Sequence, residues 1–196
     1  MTPDIAAVTA LVEEVAATEI LPRFEKLAAH EIREKSPGDV VTIADEAAEA
    51  WLTPRLVALL PGSLVLGEEA AAVDPDILRR LDEAESLWLI DPVDGTHNFV
   101  RGYPSFCVSI GLVQGGESVL GAIYDAGVDS VTWAVEGGGG QGPGGGPRRR
   151  DETGAHPRER GEVASPPAGG VHAVHVVVLV AAGVLQVQDA RGVARP

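Results

Sequence analysis

The chain has 196 residues, 45% of them hydrophobic, and a net charge of -14, enough apolar material for one domain or for a large and a small one. So acidic a chain repels polynucleotides and anionic lipid, which excludes nucleic acid and membrane as partners and requires a bound cation before an anionic substrate approaches. The single cysteine, Cys107, excludes an intramolecular disulfide, and Asp4, Glu13, Glu14 and Glu19 interrupt any export leader, so the expected location is cytoplasmic.

Thr2, Pro3 and Asp4 are expected to cap a first helix, with Pro3 at its first position, and Ile5, Val8, Leu11, Val12 and Val15 repeat at helical spacing behind them. The stripe resumes at Phe24 and Leu27, with Pro22 marking a kink or break. Lys35-Ser36-Pro37-Gly38 reads as a loop, Asp39 to Thr42 as a strand and Ala44 to Leu52 as a helix that Pro54 bends or restarts. Ser63 to Leu66 is a short apolar strand delivering Gly67-Glu68-Glu69 to its carboxyl end. Pro75 to Leu81 reads as a helix, and Ser86 to Ile90 as a buried central strand that stops at Asp91. Ser105 to Val113, Glu117 to Tyr124 and Ser130 to Val135 follow as strands, joined by Gly115-Gly116 and Asp125-Ala126-Gly127 in hairpin chemistry. Helices followed by a meander point to an α+β layered fold and not to a doubly wound parallel sheet.

Beyond Glu136 the character of the chain changes. All eight aromatic residues lie between Phe24 and Trp133, and residues 137–196 hold no Phe, Trp, Tyr, Ile or Lys. Residues 1–136 carry 24 Asp and Glu against 8 Lys and Arg, whereas the remainder carries 5 against 7, so the acidic charge belongs to the first part. Twelve Gly and five Pro fill half of residues 137–170, a composition expected to remain disordered. Residues 171–196 form a Val- and Ala-rich tail. His172 and His175 within it lack Cys, Asp or Glu partners, and chance is the better account of their spacing. The expected division is therefore 1–136, 137–170 and 171–196.

Asp91-Pro92-Val93-Asp94-Gly95-Thr96, set directly after a buried strand, places two carboxylates and a carbonyl in one tight turn, and Glu68 ends another strand. These hard oxygen donors suit Mg²⁺, and anions so concentrated raise one another's pKa unless a cation neutralises them. Gly95 lets backbone N–H groups approach a phosphate, and Thr96 offers a hydroxyl to fix a water. An isolated Asp-Gly is usually an ordinary turn, but this motif is longer than a turn requires. Cys107, Trp51 and Trp88 read as core, Glu13-Glu14 and the pair Glu46 and Glu49 as solvated helix faces, and His97 as a solvent-facing or capping imidazole.

The run Trp88-Leu89-Ile90-Asp91-Pro92-Val93-Asp94-Gly95-Thr96-His97-Asn98-Phe99 and its continuation to Leu112 resembles the inositol monophosphatase family. Asp39-Val40-Val41-Thr42-Ile43-Ala44-Asp45 and Leu66-Gly67-Glu68-Glu69 match two further family elements in the same order. The resemblance implies a layered α/β/α/β sandwich and a Mg²⁺-dependent phosphatase for a small phosphorylated substrate, with homodimers common. It makes Glu68 and Asp91 carboxylate ligands of a first Mg²⁺, Val93 a ligand through its carbonyl, and Asp94 a ligand of a second ion. Glu68 and Thr96 would hold the attacking water, Asp45 would accept a hydrogen bond from Thr96, and the amides of Gly95 and Thr96 would receive the phosphate. Lys35 would be a nearby cation. The implied reaction is hydrolysis of myo-inositol 1-phosphate, with histidinol phosphate or a nucleotide 3'-phosphate as alternatives.

The family completes its site with a Trp-Asp pair from a carboxy-terminal half, and no Trp-Asp follows Trp133. The abrupt compositional change is what a shifted reading frame in a GC-rich gene produces. A truncated, inactive chain that exposes apolar strand faces and an unpaired edge is therefore the competing expectation.

Overall fold

The computed structural model describes residues 2–68, 84–137 and 139–142. The expected helix at Pro75 to Leu81, apart from its place in the chain, lies outside these residues, as do Glu69, residues 143–170 and the tail 171–196.

Helix α1 spans Ile5–Val15 and starts two residues later than expected: Asp4 is the cap, its carboxylate accepting the Ala6 amide at 3.0 Å, so Pro3 precedes the cap. Val8, Val12 and Val15 make its buried stripe. A wide π turn at Ala16–Ile20 and a 3₁₀ turn at Leu21–Arg23 carrying Pro22 then end the helix, since a proline within the ladder removes a donor.

Strand β1, Ile32–Ser36, pairs antiparallel with β2, Asp39–Thr42, in a separate two-stranded sheet. The segment Lys35 to Gly38 is thus the end of a strand and a tight hairpin, with Gly38 at φ +83°. Helix α2 runs unbroken from Ile43 to Leu59 with Pro54 inside it. Thr53 Oγ1 donates to the Glu49 carbonyl at 2.8 Å and the Arg55 guanidinium to the Trp51 carbonyl at 2.8 Å. These side-chain donors serve the helix backbone around the proline. Ala44, Ala48, Leu52 and Leu56, four apart, form the buried face of α2.

The main sheet is six-stranded in the order β3 (Leu64–Gly67), β4 (Ser86–Asp94), β5 (Cys107–Gln114), β6 (Glu117–Asp125), β7 (Ser130–Val135) and β8 (Gly139–Gln141). β3 pairs parallel with β4, and each later pair is antiparallel. The fold is therefore α+β with a mixed sheet. β8 continues the sheet beyond Glu136, into the Gly-rich segment expected to stay disordered, and covers the β7 edge. Gly140 is required there, because a Cβ would meet the Trp133 carbonyl at 2.6 Å.

Alternation along β4 divides the sheet into two faces. Trp88 and Ile90 join Ile110, Leu112, Leu120 and Ala122 against α1 and α2, while Leu87 and Leu89 pack with Leu66 on the opposite face. Trp88 is fully buried, so it is core as its setting in an apolar run suggests.

Candidate active site

Parallel pairing of β3 with β4 aligns Gly67 with Ile90, which puts the residues that follow, Glu68 and Asp91, at the same carboxyl end of the sheet. β4 runs on past Asp91 to Asp94, but its pairing with β5 shifts there: Asp91 faces Ser109 and Asp94 faces Cys107. The extra residue falls in Pro92-Val93, where proline has no N–H to give the ladder. This bulge ends the strand in the acidic turn.

Gly95 follows at φ +99° and ψ 32° and caps the short helix α3, Thr96–Val100. A side chain here would be strained and would also meet Ser105 O at 3.0 Å and Phe106 Cα at 3.3 Å. The turn is fastened below by Asn98, whose Nδ2 donates to Ser105 O at 2.8 Å, and by Phe99, which packs with Phe24 and Phe106 at ring separations of 5.0 to 5.5 Å. No side chain caps α3, and its Asn98 and Phe99 amides donate to the Gly95 carbonyl.

Asp91 is the electrostatic centre. Its Oδ1 is buried without a hydrogen-bond partner among the described residues. Burial, and then the carboxylates of Glu68, Asp94 and Asp45, push its pKa up to about 8, against a smaller opposing effect of the Val93 amide that donates to it. A carboxylate so placed lacks a cation, and a divalent ion is the group that would satisfy it. The side chains nevertheless do not stand as a finished ligand set: among the described residues no three carboxylate, imidazole or thiol groups are gathered closely enough to hold an ion. Two of the carboxylates have other partners. Glu68 Oε1 accepts Lys35 Nζ at 2.9 Å, and Asp94 Oδ2 faces Cys107 Sγ at 3.6 Å.

Thr96 Oγ1 donates to the Val93 carbonyl at 2.9 Å and stands 3.4 Å from Asp45 Oδ1. Asp45 is buried at the start of α2, its other oxygen accepting the Thr42 hydroxyl at 2.6 Å and the Thr42 amide at 2.9 Å. One carboxylate thus closes a capping box and faces the acidic turn. Val93 is itself buried, and its carbonyl, with two lone pairs, already serves Thr96.

Two contacts escaped the sequence reading, and two residues stand as it expected. His97 Nε2 donates to the Gly38 carbonyl at 2.8 Å, tying α3 to the β1–β2 hairpin. Glu49 is not a solvated face: its carboxylate lies against Gly67, in the space a Cβ would take. Its spacing of four from Asp45 on α2 was the available signal. Glu46, by contrast, is exposed and ion-paired with Arg33. Cys107 is buried, and its thiol lies well above the ordinary thiol range through burial and then the Asp94 and Asp91 carboxylates. It is a small core side chain and no nucleophile.

The sequence profile of the inositol monophosphatase family matches residues 1–153. The chain is 41% identical over 102 residues to an inositol-1-monophosphatase of Mycobacterium bovis, covering 52% of this chain and 34% of that protein. It is 35% identical over 114 residues to a fructose-1,6-bisphosphatase/inositol-1-monophosphatase of Aquifex aeolicus, covering 58% and 40%. Among solved structures it is similar to the extragenic suppressor protein SuhB of Bartonella henselae, with TM-score 0.60, 27% identity and coverage of 70% and 50%. It is also similar to the Thermotoga maritima IMPase, with TM-score 0.59, 25% identity and coverage of 72% and 51%. The matched part of this chain therefore spans well under half of those curated relatives and about half of those solved structures.

Proposed function

We infer, because this chain belongs to the inositol monophosphatase family, that it supplies the cation- and phosphate-binding part of a Mg²⁺-dependent phosphomonoesterase. The substrate would be a small phosphorylated alcohol, myo-inositol 1-phosphate first among them, and the setting the cytoplasm, with a homodimer as the family-like assembly. Relatives named inositol-1-monophosphatase support the choice of alcohol. The observation that carries the reading is Asp91, whose buried Oδ1 is orphaned while three further carboxylates crowd it.

Glu68, Asp91, the Val93 carbonyl and Asp94 would hold the Mg²⁺. Bound there, the cation would polarise the phosphate and lower the pKa of an attacking water. The chain's own groups do the orienting. The Thr96 hydroxyl, once turned toward Asp45, has its oxygen lone pairs free to accept a proton of that water, and Glu68 accepts the other. The Gly95 and Thr96 amides at the start of α3 would receive phosphate oxygens. Lys35, beside Glu68, would add a positive charge to the surroundings that a phosphate meets.

Calorimetric titration with Mg²⁺ tests the reading. The Asp91→Asn, Asp94→Asn double variant is expected to lose the heat of binding, and turnover is expected to stop in excess chelator and in Thr96→Ala. Unchanged heat in the double variant, or turnover that survives chelation, refutes it. One sequence feature favours a second reading, a shifted frame and an impaired enzyme: no Trp-Asp pair follows Trp133. Translation of the coding DNA in the other two frames downstream of Glu136 is then expected to show Trp-Asp followed by small residues, and its absence from both frames removes that reading.

A further inference from the structure

We propose that His97 is a positioning residue that latches the β1–β2 hairpin onto the acidic turn and thereby holds Lys35 on Glu68. A hairpin of two strands is marginal by itself, and β1–β2 forms no part of the six-stranded sheet. Among the described residues it is tied outward at Arg33, Lys35 and Gly38. The Arg33–Glu46 pair has side chains 60% and 47% exposed, and pairs so exposed hold position weakly. β2 leads directly into α2, which fixes the Thr42 end and leaves the far end, at Gly38, to be placed by other contacts.

At that far end the Gly38 carbonyl accepts His97 Nε2 at 2.8 Å. The Gly38 amide is already spent within the hairpin, donating to Glu34 Oε1 at 2.7 Å. The His97 bond therefore joins the hairpin tip to the helix that opens with Thr96. Three residues before Gly38, Lys35 Nζ reaches Glu68 Oε1 at 2.9 Å and Asp39 Oδ1 at 3.6 Å, and its side chain is only 17% exposed. A tip held by His97 keeps the ammonium there. A released tip lets the four-carbon stem swing into water.

Given the cation reading above, on which this consequence rests, the ammonium and the Mg²⁺ compete for Glu68, and the latch sets the strength of that competition. His97 then acts on the site through Lys35 without touching the reacting atoms.

The chain has two lysines, Lys26 and Lys35, and Lys26 is exposed, so it serves as an internal standard. The full chain is treated with a limiting amine-acylating reagent at pH 8, without metal, and both lysines are followed by peptide mass spectrometry. In the native protein Lys35 is expected to react more slowly than Lys26. His97→Ala is expected to raise the Lys35 to Lys26 ratio about threefold, the scale of a weak ion pair. His97→Gln keeps an N–H donor and is expected to restore the native ratio. A ratio unchanged in His97→Ala, or raised equally in both variants, overturns the latch. An altered Lys26 rate would instead report a general loss of structure, and Lys35→Met then decides by a second route: in its background His97→Ala no longer changes Mg²⁺ affinity if the two residues act as one device, and still changes it if they do not. Calorimetry on the single variant is expected to give Mg²⁺ binding about threefold tighter than native, and equal affinity refutes the competition. Failure of every protein to bind Mg²⁺ would sink the proposed function, while the acylation ratio still decides the latch.

Discussion

Replacing Gly95 by alanine tests the geometry of the acidic turn without touching any charge. Two penalties add. The backbone at φ +99° and ψ 32° suits glycine, and an L side chain there costs about 1 to 2 kcal/mol. The new Cβ would also meet Ser105 O at 3.0 Å and Phe106 Cα at 3.3 Å. Both are backbone atoms, held by Asn98 and by the packed Phe99 and Phe106 rings, so little can yield, and forced overpacking of this kind costs about 1 to 3 kcal/mol. The sum is roughly 2 to 5 kcal/mol. Gly62→Ala is the matched control, with φ +89° and nothing within 4 Å of the built Cβ, so it carries the backbone penalty alone. Urea unfolding followed by tryptophan fluorescence measures both. The Gly95→Ala midpoint should fall further than the Gly62→Ala midpoint, by roughly 1 M at ordinary slopes. Equal midpoints would mean that the turn does not pack on Ser105 and Phe106 as described, and the argument for glycine at the candidate phosphate site would fail with it.

The raised pKa of Asp91, about 8 against 3.8, makes the metal-free chain pH-sensitive in a defined direction. A carboxyl that holds its proton more tightly when folded contributes its stability in full below pH 4 and loses it as pH rises through 8. In chelator the melting temperature is expected to fall between pH 5 and 9, and Asp91→Asn to flatten that slope and melt higher at pH 9; a native slope no steeper than the variant's refutes it. Added Mg²⁺ is expected to reverse the fall at high pH, and no recovery would count against the cation. Cys107, whose thiol is raised by burial and by the Asp94 and Asp91 carboxylates, is expected to resist a thiol–disulfide exchange reagent at pH 8 in the folded chain and to react readily in urea; fast reaction in the native protein would contradict its place in the core.

The acidic turn was legible because its signals are local. A continuous apolar run before Asp91, a proline and a glycine inside the turn, and the length of the matching motif all lie within one stretch of chain. The hairpin strands from Glu117 to Val135 were legible for the same reason, through alternation and Gly-rich turns. What escaped depends on distant partners. β1 is Ile-Arg-Glu-Lys-Ser, a polar run with no strand pattern of its own, and it is extended because β2 pairs with it. Pro54 suggested a helix that bends or restarts, yet it runs on unbroken with Leu52 and Leu56 both fully buried, and that packing outweighs one missing donor. The Lys35–Glu68, His97–Gly38 and Cys107–Asp94 contacts link elements whose proximity no local pattern announces. β8, made of Gly-Gly-Gln, has almost no side-chain signal at all.

The parallel pairing of β3 with β4 also bears on the order in which the molecule assembles. Hairpins from β5 through β8 close over short turns, whereas β3 and β4 are separated by the longer stretch between Gly67 and Ser86, a slower search because a longer loop must close first. Glu68 and Asp91 become neighbours at that step and not before. An ion bridging them would therefore bind scarcely at all to a transition state that lacks the β3–β4 pair, so its stabilisation would appear as slower unfolding with little change in the folding rate. On that account the carboxyl end of the sheet would be the last of the described elements to mature, and a bound ion would act as a kinetic lock against its opening.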